Sequence, residues 1–172
     1  MVVCDSGPLI YLSRIGQVQL LRKLFGSVFI PASVYRETVE EAKALRKSGT
    51  STIEKAINDG WIKVLGISRS EMGLVKKLAE NESIEVEDAE VVFLAKKHST
   101  GLVTNDKWLV KTAVSLGIDA FWTTSIILLA IKKKIIDKNQ ARKMLRKLVL
   151  SGLYLRTDVY EALLSAVEET SF

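Results

Sequence analysis

Cysteine and histidine are nearly absent from this 172-residue chain, which has one of each, Cys4 and His98. A single cysteine cannot form an internal disulfide, and the two side chains together are too few for a structural zinc site. Any catalytic set built on histidine would have to use His98, which lies in a polar segment typical of a solvated helix end. Thiol, zinc and serine-hydrolase chemistry are therefore disfavoured.

Long apolar runs, proline-rich linkers and internal repeats are also lacking. The longest clean apolar run, from Ile126 to Ile131, is far shorter than the roughly 18 residues that a membrane span requires. The first residues show neither the basic region nor the apolar stretch of a signal peptide. We therefore expect a single domain over residues 1–172, located in the cytoplasm and not associated with a membrane.

Positive charge is concentrated near the end of the chain. The formal net charge is +5, and residues 132–147 contain eight Lys or Arg residues against one acid, Asp137. Such a stretch favours a polyanionic partner, although the solvated face of an ordinary helix has the same composition.

Apolar periodicity predicts alternating strands and helices. Short β-branched runs indicate strands at residues 2–4, 27–30, 101–103 and 118–121. Segments of helical period lie between and after them, at residues 9–25, 32–46, 52–59, 70–80, 86–97, 107–116, 123–133, 137–150 and 157–168. This order predicts a three-layer α/β/α fold with a central, mostly parallel sheet of four to five strands, and residues 123–172 form a helical C-terminal extension packed on it.

Three acidic residues follow the predicted strands. Asp5 comes directly after the first strand, Asp106 lies three residues after the third, and Glu37 lies in the second turn of the helix after the second. Because ligands bind beyond the carboxyl ends of parallel strands, these side chains are expected at one end of the sheet. Asp88 joins them as a carboxylate on a helix face that is otherwise apolar.

Clustered carboxylates repel one another and raise one another's pKa, so such a cluster usually implies a bound cation. Oxygen ligands without His or Cys favour Mg²⁺ or Mn²⁺ over zinc. One or two such ions activate water and neutralise the charge that grows on a phosphate, so hydrolysis of a phosphodiester is the natural chemistry.

Each acid also has a purely structural interpretation. Asp5 and Asp106 have the residue type of helix N-caps, and Glu37 suits the N-terminal half of a helix. Asp88 lies in an acidic run, and residue chemistry alone does not say whether it or a neighbour binds metal: Glu85, Glu87 and Glu90 are the others.

Four motifs occur in the order found in one family: Val-Cys-Asp-Ser-Gly-Pro-Leu at 3–9, Ile-Pro-Ala-Ser-Val-Tyr-Arg-Glu at 30–37, Asp-Ala-Glu-Val-Val-Phe-Leu-Ala at 88–95 and Val-Thr-Asn-Asp at 103–106. On these motifs the chain resembles the PIN-domain family, the Rossmann-like ribonuclease fold of VapC-type toxins. The tail at 151–164 resembles that of an uncharacterised archaeal-type subgroup with a C-terminal helical extension. The chain departs from that subgroup at Trp122-Thr123, where a Gly-Thr pair is expected, and at Asn105, where Asp is frequent.

The resemblance implies a ribonuclease that cuts single-stranded RNA, often as a homodimer, and in a toxin-like member a small antitoxin would be a partner. The family's catalytic and metal-binding acids carry over to Asp5, Glu37, Asp88 and Asp106. Ser6, Thr104, Asn105 and Thr123 become candidates for orienting ligands or water beside them. Lys107 and Lys111 are candidates for holding RNA.

Two rival interpretations remain at this stage. In the first, a catalytically silent PIN-like module binds RNA or a partner protein, and its acids serve only structure; the presence of all four acids argues against it. In the second, the substrate is structured RNA or a DNA flap, and the lack of a helical-arch insertion argues against it. The three tryptophans are predicted to belong to the core rather than to a nucleic-acid surface.

Overall fold

Five short strands form one sheet in the computed structural model, which describes residues 1–170. The strands are β1 (Val2–Cys4), β2 (Val28–Pro31), β3 (Ile62–Leu65), β4 (Gly101–Val103) and β5 (Ala120–Phe121), in the order β3-β2-β1-β4-β5. All four pairings are parallel, as the alternation of strands and helices predicts. Every residue of β1 and β2 is buried, which is typical of parallel strands covered on both faces.

The edge strand β3 is the element that the sequence pattern does not reveal. Its two central residues, Lys63 and Val64, are exposed, and the strand is only four residues long. Lys63 interrupts the short apolar run around it, so the pattern does not mark a strand here. The sheet consequently has one strand more than the four that the pattern identifies.

Helices connect and cover the strands close to the predicted positions. They are α1 (Ser6–Arg14), α2 (Gln19–Phe25), α3 (Ala32–Tyr35), a π-helical turn (Arg36–Glu41), α4 (Ala42–Ala44), α5 (Thr50–Asn58), α6 (Arg69–Glu82), α7 (Val86–Lys97), α8 (Lys107–Ser115), α9 (Thr123–Lys132), α10 (Lys138–Leu150) and α11 (Thr157–Glu169). The Asp137/Gln140 pair forms the capping box that its spacing predicts. In the described part of the chain, no helix is both long enough and apolar enough to cross a membrane.

Two helical layers enclose the sheet, which confirms the predicted three-layer architecture. Helix α7 packs against β1, β2 and β4, and contacts α3, α6 and α8 around it. In the second layer, α1 contacts α5 and α9, and α9 contacts α2, while α2 meets β2 and α5 meets β3. Helix α10 packs on α9, and α11 packs on both. The helices after β5 therefore enlarge the second layer.

The strand order reverses between β1 and β4. From β1 the chain proceeds to β2 and β3 on one side, whereas β4 and β5 are added on the other. The connections on the two sides leave a crevice at the carboxyl ends of β1 and β4, where open parallel sheets bind ligands. Residues that directly follow β1 and β4 are therefore the ones that the fold directs to a site.

Candidate acidic active site

Asp5 is held in place by the residues next to β1 and β4. Its backbone N–H donates to the carbonyl of Val103 at 2.9 Å, which continues the pairing of the two strands. Its Oδ1 accepts from the Ser6 N–H at 2.6 Å, so Asp5 caps α1. Its Oδ2 accepts from the Thr104 hydroxyl at 2.8 Å. The carboxylate is therefore fixed at the crevice by two loops at once.

The Thr104 hydroxyl joins Asp5 to Asp106. It donates to Asp5 and accepts from the backbone N–H of Asp106 at 3.1 Å, while the Thr104 side chain is completely buried. Asp106 caps α8 through Oδ1, which accepts from the N–H groups of Trp108 and Leu109 at 2.7 and 2.9 Å. One hydroxyl thus sets the relative positions of two loops that carry acids.

Asp5 and Asp106 are helix caps, as their structural interpretation predicts. The cap uses only one carboxylate oxygen of Asp106, because both capping hydrogen bonds go to Oδ1. Both residues also line one cavity of about 170 Å³. The structural and the functional interpretations are therefore compatible at these two positions.

Glu37 reaches the same cavity from the π-helical turn between α3 and α4. The turn contains one residue more per hydrogen-bonded loop than an α-helix, and such turns are frequent at functional sites. Helix α3 contacts α7, whereas the π-helical turn contacts α1 and α5, so this segment reaches from one layer to the other. Glu37 is exposed and is therefore free to move toward a ligand.

Asp88 completes the group from the first turn of α7, where it is half-buried. It lines the cavity with the three other predicted acids, so the structure brings together all four: Asp5, Glu37, Asp88 and Asp106. Of the alternatives in its acidic run, Glu87 also lines this cavity, Glu85 lines a neighbouring one, and Glu90 accepts a hydrogen bond from the Ser33 hydroxyl. Asp88 lines both cavities.

The acids affect one another's ionisation. Burial raises the pKa of Asp5, hydrogen bonds from Thr104 and Ser6 oppose this effect, and the charges of Glu37 and Asp106 add to it. Burial also raises the pKa of Asp88 to about 6, with further contributions from Asp5 and Asp106. The cavity lining contains no Lys, Arg or His side chain. A bound cation would supply the positive charge that balances these carboxylates.

The donor set fits a hard divalent cation. The lining supplies carboxylate and hydroxyl oxygens, which are the ligands of Mg²⁺ and Mn²⁺. Among residues 1–170, no group of three or more Asp, Glu, His or Cys side chains already has an arrangement that would hold a metal ion. We therefore expect metal binding to require rotation of side chains such as the exposed Glu37.

The predicted supporting residues lie beside the acids. Ser6 lines the cavity, and Asn105 Oδ1 accepts from the Thr123 backbone N–H at 3.1 Å, which ties the loops after β4 and β5 together. Within the described residues, Asn105 Nδ2 and Thr123 Oγ1 are buried without a hydrogen-bond partner. Buried polar atoms of this kind are normally satisfied by water or a ligand. Thr123 is buried in this loop, directly after the larger side chain of Trp122.

The two lysines after Asp106 are exposed on α8, as a role in RNA binding requires. Lys111 Nζ lies 4.7 Å from the centroid of the Trp108 ring, and Trp108 is 68% exposed. The prediction that all three tryptophans belong to the core is therefore wrong for Trp108. The sequence pattern gives no signal of this exposure, because tryptophan is commonly buried and Trp108 is followed by the apolar Leu109.

The basic stretch at 132–147 lies away from the acids. Lys143 and Lys147 line a cavity with Gln17, which follows the end of α1, whereas Asp5 lies at the beginning of that helix. Nine helical residues extend about 13 Å, so a phosphate held by the acids is beyond direct reach of these lysines.

Asp88→Asn is expected to stabilise the metal-free protein at pH 7.5. The pKa of Asp88 rises from 3.8 to about 6 on folding, so stability falls as the pH rises through that window and stays lower above it. Because the residue is half exposed, we expect a gain of only about 1 kcal/mol in the free energy of unfolding.

Thermal unfolding in EDTA at pH 7.5 and pH 3.5 measures this effect, with Asp119→Asn, an exposed acid before β5, as the matched control. The gain should be present at pH 7.5 and absent at pH 3.5. Equal stability of the Asp88 and Asp119 variants at pH 7.5 would show that Asp88 carries no ionisation penalty.

The fold and the crevice define a class of protein: a three-layer α/β/α domain with an acidic cleft at the reversal point of a parallel sheet. A family model described as a PIN domain matches residues 1–169, and the chain belongs to this family. Among solved structures, PAE2754 from Pyrobaculum aerophilum is similar, with a TM-score of 0.54 and 18% sequence identity over 76% of this chain and 96% of that one. This likeness shows the fold. A search of curated proteins gives no match.

Proposed function

We propose that the protein is a metal-dependent ribonuclease that hydrolyses phosphodiester bonds of single-stranded RNA. PIN domains are generally nucleases, and the chain belongs to that family. The observation that carries the proposal is the convergence of five carboxylates, the four predicted acids and Glu87, from four separate segments of the chain, on one cavity whose lining contains no basic side chain. Burial disfavours the charged forms of Asp5 and Asp88 in this group, and a bound cation would offset that cost.

In this proposal, Asp5, Asp88 and Asp106 hold Mg²⁺ or Mn²⁺, and Glu37 completes the site. When bound, the ion supplies a Lewis acid that lowers the pKa of water and neutralises charge on the phosphate. Thr104 keeps Asp5 and Asp106 at a fixed separation through its two hydrogen bonds. The exposed Glu37 is the acid best able to turn toward an attacking water and accept its proton.

The test of this function is cleavage of a labelled, unstructured RNA by the purified protein with Mg²⁺, with Mn²⁺ or with EDTA. We expect cleavage with the metals and none with EDTA, and an equivalent single-stranded DNA should be cut more slowly. Absence of cleavage with either metal across several RNAs, together with no shift of the unfolding temperature by Mn²⁺, would overturn the proposal.

Lys107 and Lys111 are proposed to hold the RNA backbone next to the acids. Replacing either lysine with Gln should weaken binding and reduce the slope of log affinity against log salt by about 0.7, the value for one phosphate contact on a single strand. Lys23→Gln, an exposed lysine on α2, is the matched control. Slopes that stay equal in all three variants would show that these lysines do not contact phosphates.

The predicted homodimer and the small antitoxin partner remain predictions that follow from the family resemblance. Sedimentation of the purified protein tests the first. A short reading frame next to the gene, whose product binds the protein and blocks cleavage, tests the second without affecting the ribonuclease proposal.

A further inference from the structure

A second cavity adjoins the acidic cleft. Its volume is about 390 Å³, and its wall includes Ile84, Trp108 and Thr112. Asp88 and Asp106 line this cavity as well as the cleft, so a group bound in one lies directly beside a group bound in the other. The volume falls within the range of about 300 to 1,000 Å³ that small-molecule sites occupy.

Trp108 is a large apolar side chain that the fold leaves in solvent at this cavity. It is 68% exposed, although its neighbour Leu109 is completely buried. Its backbone is fixed, because its N–H donates to Asp106 Oδ1 at 2.7 Å. The aromatic ring is therefore presented beside the acidic cleft from an ordered helix start.

The charge around the cavity determines which part of a nucleotide can occupy it. Glu82 and Glu85 line the cavity together with Asp88 and Asp106, so a phosphate placed there would be repelled. A nucleobase is uncharged, stacks on tryptophan, and carries N–H groups that carboxylates accept. Lys111, which lies over the Trp108 ring, supplies a positive charge for the phosphate next to a stacked base.

We propose that Trp108 and this cavity form a subsite that takes one unpaired nucleobase adjacent to the scissile phosphate. The inference rests on the proposed ribonuclease function and deepens it. A base inside a duplex is stacked and paired and cannot enter, so the subsite selects single-stranded substrate. Trp108 acts by binding, and the chemical step belongs to the acids.

The experiment measures binding of a labelled eight-nucleotide oligouridylate by fluorescence anisotropy, in the Asp5→Asn background so that the probe survives. Trp108→Ala should weaken binding about tenfold, as expected for the loss of one base–aromatic stack. Trp108→Phe should retain most of the affinity. Tyr154→Ala, which removes an aromatic side chain that is 84% exposed on the loop before α11, is the matched control and should change nothing.

A probe that lacks a single base isolates the stack. A series of oligomers carries the abasic site at successive positions along the strand. If Trp108 binds a base, one of these oligomers should bind the protein that has Trp108 more weakly than the intact probe does. Trp108→Ala should not weaken the binding of that oligomer further. Equal affinities of the Trp108→Ala and Tyr154→Ala variants would overturn the proposal, and so would a tenfold loss with every abasic oligomer. Trp108-dependent binding, with no cleavage by the wild type and no shift of its unfolding temperature by Mn²⁺, would instead refute the ribonuclease function and leave the base-binding role of Trp108 in place.

Discussion

In the proposed ribonuclease, Asp5→Asn is expected to lower the rate of RNA cleavage by roughly 10³-fold or more, because the site would lose several kcal/mol of metal-derived stabilisation of the transition state. Asp5 is fixed where the strand order reverses: its backbone N–H donates to the Val103 carbonyl, and its carboxylate accepts from the Thr104 hydroxyl. Asparagine retains one carbonyl oxygen, which can still cap α1, so the fold should be preserved. Single-turnover cleavage with Mn²⁺ measures the effect.

The matched control for Asp5→Asn is Asp119→Asn, which makes the same chemical change at an exposed acid that precedes β5. We expect its rate to equal that of the wild type. The shift of the unfolding temperature by Mn²⁺ should be present in the control and strongly reduced in Asp5→Asn. Comparable rates in the two variants would remove Asp5 from the catalytic site and would require a different explanation of any activity.

Thr104→Val should lower the cleavage rate by about 10- to 100-fold, the range that is typical for partners that orient metal ligands. The substitution preserves shape but removes the hydroxyl that donates to Asp5 and accepts from the Asp106 N–H. Since that hydrogen bond lowers the pKa of Asp5, its loss raises this pKa further. The acidic limb of the pH–rate profile should therefore move to higher pH.

Thr104→Ser separates the role of the hydroxyl from that of packing. Serine retains the hydroxyl and loses a methyl group from a completely buried position, so it should lose stability yet keep the pH profile of the wild type. Thr104→Val should show the opposite pattern, with a shifted profile. A shifted profile in both variants, or in neither, would contradict a positioning role for the hydroxyl.

The proximity of Asp5 and Asp106 could be predicted from the positions of these residues relative to the strands. Asp5 and Asp106 follow buried strands, and parallel strands direct such residues to one end of the sheet, so their proximity follows from strand assignment alone. Asp88 required the family motif, because helical periodicity does not distinguish it from its acidic neighbours. The structure adds that Asp88 lies on both cavities at the crevice.

Three features depend on tertiary contacts and escape the sequence pattern. Strand β3 is short, lies at the edge and is exposed at its centre, so neither burial nor alternation marks it. The π-helical turn lies inside the segment 32–46 for which the pattern predicts an α-helix, and apolar periodicity does not distinguish the two hydrogen-bonding patterns. Trp108 resembles a core residue by type, and its exposure emerges only from the way Asp106 begins α8.

The hydrogen bond between Asp5 and Thr104 joins residues that are 99 positions apart, with consequences for biosynthesis. The first half of the chain contains Asp5 and Glu37, yet it lacks β4, Thr104 and Asp106. A nascent chain therefore has no assembled acidic cleft until residue 106 has left the ribosome and β4 has inserted beside β1. The proposed RNA cleavage therefore cannot begin while only the first half of the chain has been synthesised, because the strand pairing that places Asp5 beside Asp106 needs residues from both halves.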